Sequence, residues 1–282
     1  MLAAAHQRIT ALLAPLGQDA PNEATWLITS CLKIDRAQLI IEPDAPLSET
    51  DLELLESWAL RRAQGEPLAY LCGLREFWSL ELSVNTNVLV PRSETELLVE
   101  LALARGDVCA ASQEEPIKVI DLGTGSGAIA LALRYERPHW RISALDQSVA
   151  ALEVAQKNAR QLNLIQIQWL HGHWFVPLRS ERFNLIASNP PYIAGDDPVL
   201  EGDSLRFEPR LALTPGRDSL AALRHIIQTS PKHLYPGGIL LLEHGTGQGS
   251  AVRSMLVDQG FSDVGSHSDL AGHDRVSEGR FT

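Results

Sequence analysis

Asn189-Pro190-Pro191-Tyr192 is the stretch of this sequence whose residue types best suit holding an amine or amide for chemistry. Asn189 carries one carbonyl acceptor and one NH2 donor on a short side chain. Pro190 and Pro191 lack a backbone N–H and fix φ at about −65°, so carbonyl groups around them can accept from a substrate NH2 group. Tyr192 adds an aromatic face and a hydroxyl. The pattern indicates presentation of a planar nitrogen group to an electrophile, although Asn and Pro are also ordinary turn residues.

A buried strand is predicted over residues 183–187, directly before this stretch, because Phe183-Asn184-Leu185-Ile186-Ala187 is mostly apolar. Ligands of open α/β sheets bind outside the carboxyl ends of the strands. We therefore expect Asn189 to lie at the edge of a ligand crevice. The long loop that follows, residues 193–219, is predicted to be a lid that orders around substrate.

A second stretch, Asp121-Leu122-Gly123-Thr124-Gly125-Ser126-Gly127, lies about 65 residues upstream. It follows a predicted strand at 117–120 and precedes a predicted helix at 128–134. The glycines allow a tight turn and a close approach to a ligand, and the helix N-terminus presents free N–H groups. Gly123, Thr124, Gly125, Ser126 and Gly127 are therefore predicted to bind a cofactor.

Asp146 directly follows the next predicted strand, residues 141–145. Its carboxylate is predicted to accept from both hydroxyls of a ribose; the alternative is a role as N-cap of the helix predicted at 149–161. Glycines followed by such an acid also occur in NAD sites. The spacing here is Gly-x-Gly-x-Gly rather than Gly-x-Gly-x-x-Gly, which favours S-adenosylmethionine, a cofactor that needs no pyrophosphate anchor.

A third strand, predicted at 166–170, leads to Gly172-His173-Trp174-Phe175. Trp174 is predicted to stack on the adenine of the cofactor; the alternative is a tryptophan that only covers the rim of the sheet. The nine histidines form no His-x-x-x-His pair or Asp/His cluster, so no metal site is predicted. Glu243-His244-Gly245, after another apolar run, is predicted to be a strand end that faces the crevice; it could line the pocket, but a satisfied, buried pair is the favoured interpretation.

The composition describes a globular protein without an overall affinity for nucleic acid. The chain has 282 residues, 45% of them hydrophobic, and a formal net charge of −11, which opposes a broad grip on phosphates. The three cysteines form no Cys-x-x-Cys pair and indicate a reduced, cytoplasmic protein. No signal peptide or membrane-spanning run is recognised. A monomer is expected.

Three regions are predicted: a helical domain over residues 1–72, a β-hairpin linker over 73–92 and a catalytic domain over 93–282. Apolar residues at helical spacing and Ser48 as an N-cap indicate the first region. The hairpin is predicted to turn at Asn85-Thr86-Asn87 and to return through Val88-Leu89-Val90. Ser93 is predicted to cap the next helix. The acidic excess of the helical region suits either a solvated face or a docking surface for a basic partner.

The two motifs and Asp146, in this order, resemble a class I S-adenosylmethionine-dependent methyltransferase. The chain resembles more closely the PrmC/HemK family, the release factor glutamine methyltransferases, over nearly its whole length. Further matches are Arg75-Glu76-Phe77-Trp78, Phe207-Glu208-Pro209 and Leu241-Leu242-Glu243-His244-Gly245. The resemblance implies an α/β fold with a seven-stranded Rossmann-like sheet, whose last strand, near Arg275-Val276-Ser277, runs antiparallel.

The resemblance also implies an activity: methyl transfer to the side-chain nitrogen of the glutamine in a Gly-Gly-Gln motif of peptide-chain release factors. Asn189, Pro190 and Tyr192 are then the predicted catalytic residues, and Pro191 joins them in binding the glutamine. Asn189 is also predicted to contact the cofactor.

Two positions depart from the family pattern: Ser93 replaces a proline, and His173 replaces an acidic residue. We therefore carry over Trp174 but not His173.

Two other functions remain open from the sequence. Related Asn-Pro-Pro-Tyr loops also serve exocyclic amines, so the acceptor could be an adenine amino group of nucleic acid. That reaction needs a flipped base and a basic groove, which the acidic N-terminal region does not offer in obvious form. The other alternative is a binding module that retains the cofactor without catalysis.

Overall fold

The computed structural model describes residues 1–111, 113–202 and 204–282. The chain divides into two compact units. The first contains Met1–Leu74 and Glu201–Phe207, and the second contains Arg75–Leu200 and Glu208–Thr282. Ser112, within the predicted catalytic domain, and Asp203, within the predicted lid, lie outside the described residues.

Helices form the first unit, as the apolar spacing predicts. Ser48 caps α4 by accepting from the backbone N–H of Asp51 at 3.0 Å, which confirms the predicted cap. Trp26, in contrast, is 60% exposed and does not contribute to the core. The helices are α1 (Leu2–Leu12), α2 (Ala20–Leu32), α3 (Arg36–Ile41), α4 (Glu49–Ala63) and α5 (Leu68–Cys72). Their buried core includes Ile9, Leu13, Leu27, Ile28 and Leu55.

The hairpin turns at a different place from the one predicted. Strands β1 (Leu74–Phe77) and β2 (Leu80–Ser83) are joined at Trp78-Ser79, both with positive φ, 53° and 57°. This conformation is unfavourable for bulky residues. Two hydrogen bonds of 2.8 Å hold Trp78 in it, from its backbone N–H to Glu96 and from its indole N–H to Glu136. The turn predicted at residues 85–87 is present, since the Val88 N–H donates to the Asn85 carbonyl at 3.1 Å and the Asn87 N–H donates to the Asn85 side chain at 2.9 Å. The returning strand predicted at 88–90 is wrong, so this turn does not close the hairpin.

Ser93 does not cap the following helix. Residues Ser93–Thr95 form a single 3-10 turn, and helix α6 spans Glu96–Ala111. The Ser93 hydroxyl donates to the Glu94 carboxylate at 3.2 Å instead of accepting from a helical N–H. The N-cap prediction fails because the chain enters α6 through this turn.

A seven-stranded, mostly parallel sheet forms the centre of the second unit, with the order β5-β4-β3-β6-β7-β9-β8. Strand β9 is antiparallel to both β7 and β8. These observations confirm the predicted fold class and the antiparallel last strand. The strands are β3 (Lys118–Leu122), β4 (Arg141–Asp146), β5 (Ile167–His171), β6 (Phe183–Ser188), β7 (Leu234–Glu243), β8 (Ser262–Ser268) and β9 (Asp274–Arg280).

Both faces of the sheet are covered, which explains why its central parallel strands contain consecutive apolar residues rather than a strict alternation. Val119 and Leu185 pack in one hydrophobic cluster, while Ile120 and Ile186 pack in the other. The remaining helices are α7 (Ala128–Glu136), α8 (Val149–Gln161), α9 (Arg210–Leu213), α10 (Ala221–Thr229) and α11 (Gly249–Asp258). Within the described ranges, no helix has the length and apolar character needed to cross a bilayer.

Candidate active site

The register of the sheet brings the predicted site residues to one edge. Leu122 of β3 pairs with Leu145 of β4 on one side and with Ser188 of β6 on the other. Gly123 follows Leu122, Asp146 follows Leu145, and Asn189 follows Ser188. Three segments distant in sequence therefore leave the sheet side by side, at the carboxyl ends where ligands of such sheets bind.

The loop after β3 exposes its backbone at two glycines. Gly123 and Gly125 both have positive φ, 77° and 55°. A Cβ atom added to Gly125 would meet nothing within 4 Å, and one on Gly123 would meet only the Trp174 ring, at 3.8 Å. Both glycines line a cavity of about 260 Å³. The loop is an open cradle, which side chains at these two positions would fill.

Thr124, Ser126 and Gly127 shape this loop rather than line the cavity. The Thr124 hydroxyl donates to Asp121 at 2.6 Å, and the Ser126 carbonyl accepts from the Asn158 amide at 2.9 Å. Gly127 begins α7 with φ 87°, where an added Cβ would lie 3.0 Å from Leu131. These three residues therefore stabilise the conformation of the loop that forms the cradle.

Asp121 and Asn158 are buried residues beneath the loop. Asp121 is fully buried and accepts from Thr124 and from the N–H of Ala130 at 3.3 Å, while its other oxygen has no partner among the described residues. Burial raises the pKa of Asp121 to about 7. Asn158 also exchanges two hydrogen bonds with the backbone of Ser83, which ties the loop to β2. Sequence reasoning passed over Asn158, which reads as an ordinary residue of α8.

Asp146 lines the cavity and accepts two backbone hydrogen bonds, from Gly125 at 2.9 Å and from Ser148 at 2.9 Å. Burial raises its pKa, and these hydrogen bonds oppose the rise. The N-cap of α8 is Ser148, which accepts from Ala151, so the alternative role of Asp146 as the cap is wrong. Each carboxylate oxygen keeps acceptor capacity for a ligand hydroxyl.

Trp174 forms one side of the cavity, and His173 lies beside it. The two rings meet edge to face with centroids 5.6 Å apart. Trp174 has φ 47°, an unfavourable conformation for a large residue, and its ring faces Gly123. His173 is exposed and also lines the cavity. It offers an imidazole edge where the family pattern has a carboxylate.

Asn189 and Pro191 line the same cavity, whereas Pro190 is buried and Tyr192 is directed elsewhere. The Asn189 amide NH2 donates to the Thr95 hydroxyl at 3.1 Å. The Tyr192 hydroxyl donates to Glu243 at 3.4 Å. Burial raises the pKa of Tyr192, so its hydroxyl stays protonated. The structure thus brings Asn189 and the glycines of the cradle to one cavity, whereas the Tyr192 hydroxyl is directed toward Glu243.

Glu243 and His244 are both buried, as predicted, and neither is among the residues that line the cavity. Their side chains have different partners. His244 contacts the Ser277 hydroxyl at 2.9 Å, and Glu243 accepts from Tyr192. Burial raises the pKa of Glu243 to about 7 and lowers that of His244.

The segment after Phe207 covers one side of the cavity, and Glu208 anchors it. Glu208 accepts from the backbone N–H of Val90 at 3.0 Å and pairs with Arg92. Its side chain is completely buried. Pro209, Arg210, Leu211 and Ala212 then line the cavity together with Val88 and Leu89. Sequence reasoning missed Val88 and Leu89 because it assigned them to a strand.

No group of three or more His, Cys, Asp or Glu side chains that could hold a metal ion occurs in the part of the chain that the structure describes. The groups that meet at the cavity are a carboxylate, an aromatic ring, an amide and open backbone.

A Rossmann-like sheet with an open glycine cradle after its first strand and an acid at the end of its second strand defines the class I methyltransferase fold. A methyltransferase from Pyrococcus furiosus shares this fold, with a TM-score of 0.54, 14% identity, and coverage of 78% of this chain and 95% of that one. Residues 107–201 match the methyltransferase small domain, and residues 4–73 match the PrmC N-terminal domain.

Curated relatives narrow the class to one family. The release factor glutamine methyltransferase of Xylella fastidiosa strain Temecula1 is 46% identical over 99% of this chain and 96% of that protein. The protein of the same name from Salmonella typhimurium strain LT2 is 45% identical over 94% of each chain. The chain belongs to the release factor glutamine methyltransferase family.

Proposed function

We propose that this protein transfers the methyl group of S-adenosylmethionine to the side-chain amide nitrogen of the glutamine in the Gly-Gly-Gln motif of peptide-chain release factors. One observation carries the proposal beyond family membership: a single cavity is lined by Asp146, Trp174 and Asn189. An acid, an aromatic ring and an amide acceptor are the groups that a nucleoside cofactor and an amide substrate need together.

The residues present fit the cofactor. Asp146 has acceptor capacity for ribose hydroxyls, the Trp174 ring offers a stacking face for adenine, and the backbone at Gly123 and Gly125 is open to the amino-acid part. When bound, S-adenosylmethionine supplies an electrophilic methyl group. The resident side chains supply binding and orientation.

Amide chemistry explains what Asn189 contributes. A glutamine nitrogen is a poor nucleophile because its lone pair is delocalised into the carbonyl group, so it must be held in the reactive orientation. The side-chain oxygen of Asn189 and the backbone carbonyl of Pro190 are proposed to accept its two N–H bonds. Two acceptors also place negative potential where positive charge develops on the nitrogen.

Proton removal needs no dedicated base in this proposal. The nitrogen becomes strongly acidic once it carries the methyl group, and solvent at the Asn189 side of the cavity can take the proton. Tyr192, whose hydroxyl donates to Glu243, acts through packing of the Asn-Pro-Pro-Tyr loop rather than through ionisation. Pro191, which lines the cavity, is proposed to contact the glutamine side chain.

The helical unit is proposed to dock the release factor, and residues 193–219 are proposed to close over the bound glutamine. Release factors act in translation, so the proposal places the protein in the cytoplasm. We further propose that it works as a monomer and does not bind nucleic acid directly, in keeping with its net charge of −11.

The test is transfer of labelled methyl from S-adenosylmethionine to purified release factor. A release factor with Gln→Ala in its Gly-Gly-Gln motif and duplex DNA serve as controls. Label on the unaltered release factor alone is the expected result. Label on DNA would move the acceptor to an adenine, and cofactor binding with no label on any substrate would support the non-catalytic module.

A further inference from the structure

Asn158 of α8 is a buried amide that contacts two backbone segments distant from it in sequence. The residue is completely buried. Its Oδ1 accepts from the backbone N–H of Ser83 at 2.7 Å, and its Nδ2 donates to the carbonyl groups of Ser83 at 3.0 Å and Ser126 at 2.9 Å. Ser83 ends β2, and Ser126 belongs to the glycine loop after β3. The amide therefore uses both of its N–H bonds inside the protein.

The backbone of Ser83 settles which way this amide points. A backbone N–H group only donates, so it must face Oδ1, and carbonyl oxygens only accept, so they must face the NH2 group. With the amide turned by 180°, the NH2 group would meet the Ser83 N–H, and the oxygen would meet two carbonyl oxygens. The neighbours of Asn158 are therefore satisfied in a single orientation of its side chain.

The peptide unit between Ser126 and Gly127 is held at both ends. Its carbonyl group accepts from Asn158, and its N–H group donates to the Thr124 carbonyl at 2.8 Å. Because a peptide unit is planar, these two hydrogen bonds together fix the orientation of its plane. Gly125, which directly precedes Ser126, lines the cavity with φ 55°. The orientation of this peptide unit therefore limits the path that the loop takes past the cavity.

Helix α8 meets the loop at a second point on the same face. A Cβ atom added to Gly127 would lie 3.1 Å from the Cβ of Ala155, and Ala151 lines the cavity. Ala151, Ala155 and Asn158 are spaced by four and three residues, the spacing of one helical face. The small side chains let the helix approach the loop, and the Asn158 amide adds directional hydrogen bonds. This face of α8 therefore sets the position of the loop.

We propose that Asn158 is a positioning residue for the cofactor, which holds the peptide unit after Ser126 so that the glycine backbone of the loop stays open to the cavity. The proposal rests on the proposed function, in which this backbone receives the amino-acid part of S-adenosylmethionine. Asn158 is not among the residues that line the cavity, and it acts through the loop. Apparent affinity falls in proportion to the fraction of molecules whose loop is in the binding conformation.

A positioning role and a packing role predict different results for a variant that lacks the amide. In a positioning role, the loop of the unliganded protein is less often in its binding conformation, whereas bound cofactor restores that conformation. KM for S-adenosylmethionine should therefore rise about tenfold, while kcat at saturating cofactor and KM for the release factor stay within about twofold of wild type. Loss of packing alone would lower thermal stability and leave the cofactor affinity of the folded protein unchanged.

The experiment compares the wild-type protein with Asn158→Ala, Asn158→Asp and Gln161→Ala. Affinity for S-adenosylmethionine is measured by calorimetry, and backbone hydrogen exchange of residues 123–127 is measured with and without cofactor. Asn158→Ala should raise the Kd about tenfold, the effect of one or two lost hydrogen bonds. It should also speed exchange of this segment, and more in the unliganded protein than in the complex.

Gln161→Ala is the matched control on the same helix. Gln161 accepts from the Ser83 hydroxyl at 2.9 Å, but in the described part of the chain it forms no hydrogen bond with the glycine loop. The variant therefore removes a contact between α8 and β2 without releasing Ser126. Its Kd for S-adenosylmethionine should stay within about twofold of wild type.

Asn158→Asp keeps the shape of the side chain and the bond from the Ser83 N–H, but it replaces the NH2 donor by an oxygen. It should weaken cofactor binding as well, and it carries the test if Asn158→Ala does not fold.

Wild-type Kd and wild-type exchange in a folded Asn158 variant would overturn the proposal. An equal loss of affinity in Gln161→Ala would also overturn it, since the contact between α8 and β2 would then be responsible. Absence of cofactor binding by the wild-type protein would overturn the proposed function and this role together. Absence of transfer to release factor, with cofactor affinities in the expected order, would overturn the proposed acceptor and support the role of Asn158.

Discussion

The carboxylate of Asp146 accepts a hydrogen bond from the backbone N–H of Gly125 at 2.9 Å, so the acid that ends β4 also shapes the loop after β3. The same carboxylate lines the cavity. In the proposed function, cofactor binding and loop geometry are therefore coupled through a single side chain. Both functions would be lost together if this side chain were removed.

Replacing Asp146 by alanine should weaken S-adenosylmethionine binding at least about tenfold, because a hydrogen bond to a charged group contributes roughly 1.5 to 3 kcal/mol. Isothermal titration calorimetry measures the change. Glu153→Ala removes an exposed acid from the neighbouring helix α8 and is the control for net charge. Equal affinities of the Asp146 variant and the wild type would exclude the carboxylate from the cofactor site.

Removal of the Trp174 ring should also weaken cofactor binding, since stacking of a base on an aromatic side chain contributes about 1 to 3 kcal/mol. Trp174→Ala should show the full loss, and Trp174→Phe should retain most of the affinity. Trp26→Ala, at a tryptophan that is 60% exposed in the helical unit, should bind like the wild type. A Trp174→Ala variant with unchanged affinity would show that Trp174 only covers the rim of the sheet.

Asn189→Ala should lower turnover by about 100-fold, the effect of a lost acceptor at a preorganised site, with cofactor affinity within about twofold of wild type. The reason is that, in the proposed mechanism, Asn189 orients the glutamine nitrogen, whereas Asp146 and Trp174 provide most contacts for the cofactor. Single-turnover methyl transfer separates this effect from product release. Wild-type turnover would remove Asn189 from the mechanism.

Stability should depend on pH through Glu243, whose pKa burial raises from 4.5 to about 7. Between these values the folded protein binds more protons at this site than the unfolded chain, so the contribution of Glu243 to the free energy of unfolding decreases as pH rises. Glu243→Gln has no such contribution. Thermal unfolding at about pH 5 and about pH 8 should show the variant gaining stability relative to the wild type at the higher pH. A difference that is constant with pH would contradict the raised pKa.

The sequence predicts what local patterns encode. The alternation of strands and helices along the chain follows from apolar runs separated by turn residues. Helix α8 occupies the residues predicted for it, 149–161. The cradle follows from Gly-x-Gly-x-Gly because few other sequences allow a positive φ angle at every second residue. Asp146 follows from its position at the end of a strand.

The hairpin turn and the support of Asn189 could not be predicted in this way, because both depend on contacts between distant residues. Trp78 and Ser79 adopt a conformation that their residue types disfavour, and the bond from Trp78 to Glu96 joins residues 18 apart. Thr95 and Asn189 are 94 apart. In the sequence, Thr95 reads only as part of a helix start. Such long-range pairs become visible when the sheet is assembled.

The segment Glu201–Phe207 belongs to the unit formed by the N-terminal helices, although the residues on either side of it belong to the other unit. Arg206 of this segment donates to the Gln64 carbonyl within that unit. The helical unit is thus encoded by two separate stretches of the gene. An exchange of the helical unit between relatives, by recombination or by design, would have to transfer both stretches at once, since a swap of the first alone would join helices from one protein to a segment adapted to another.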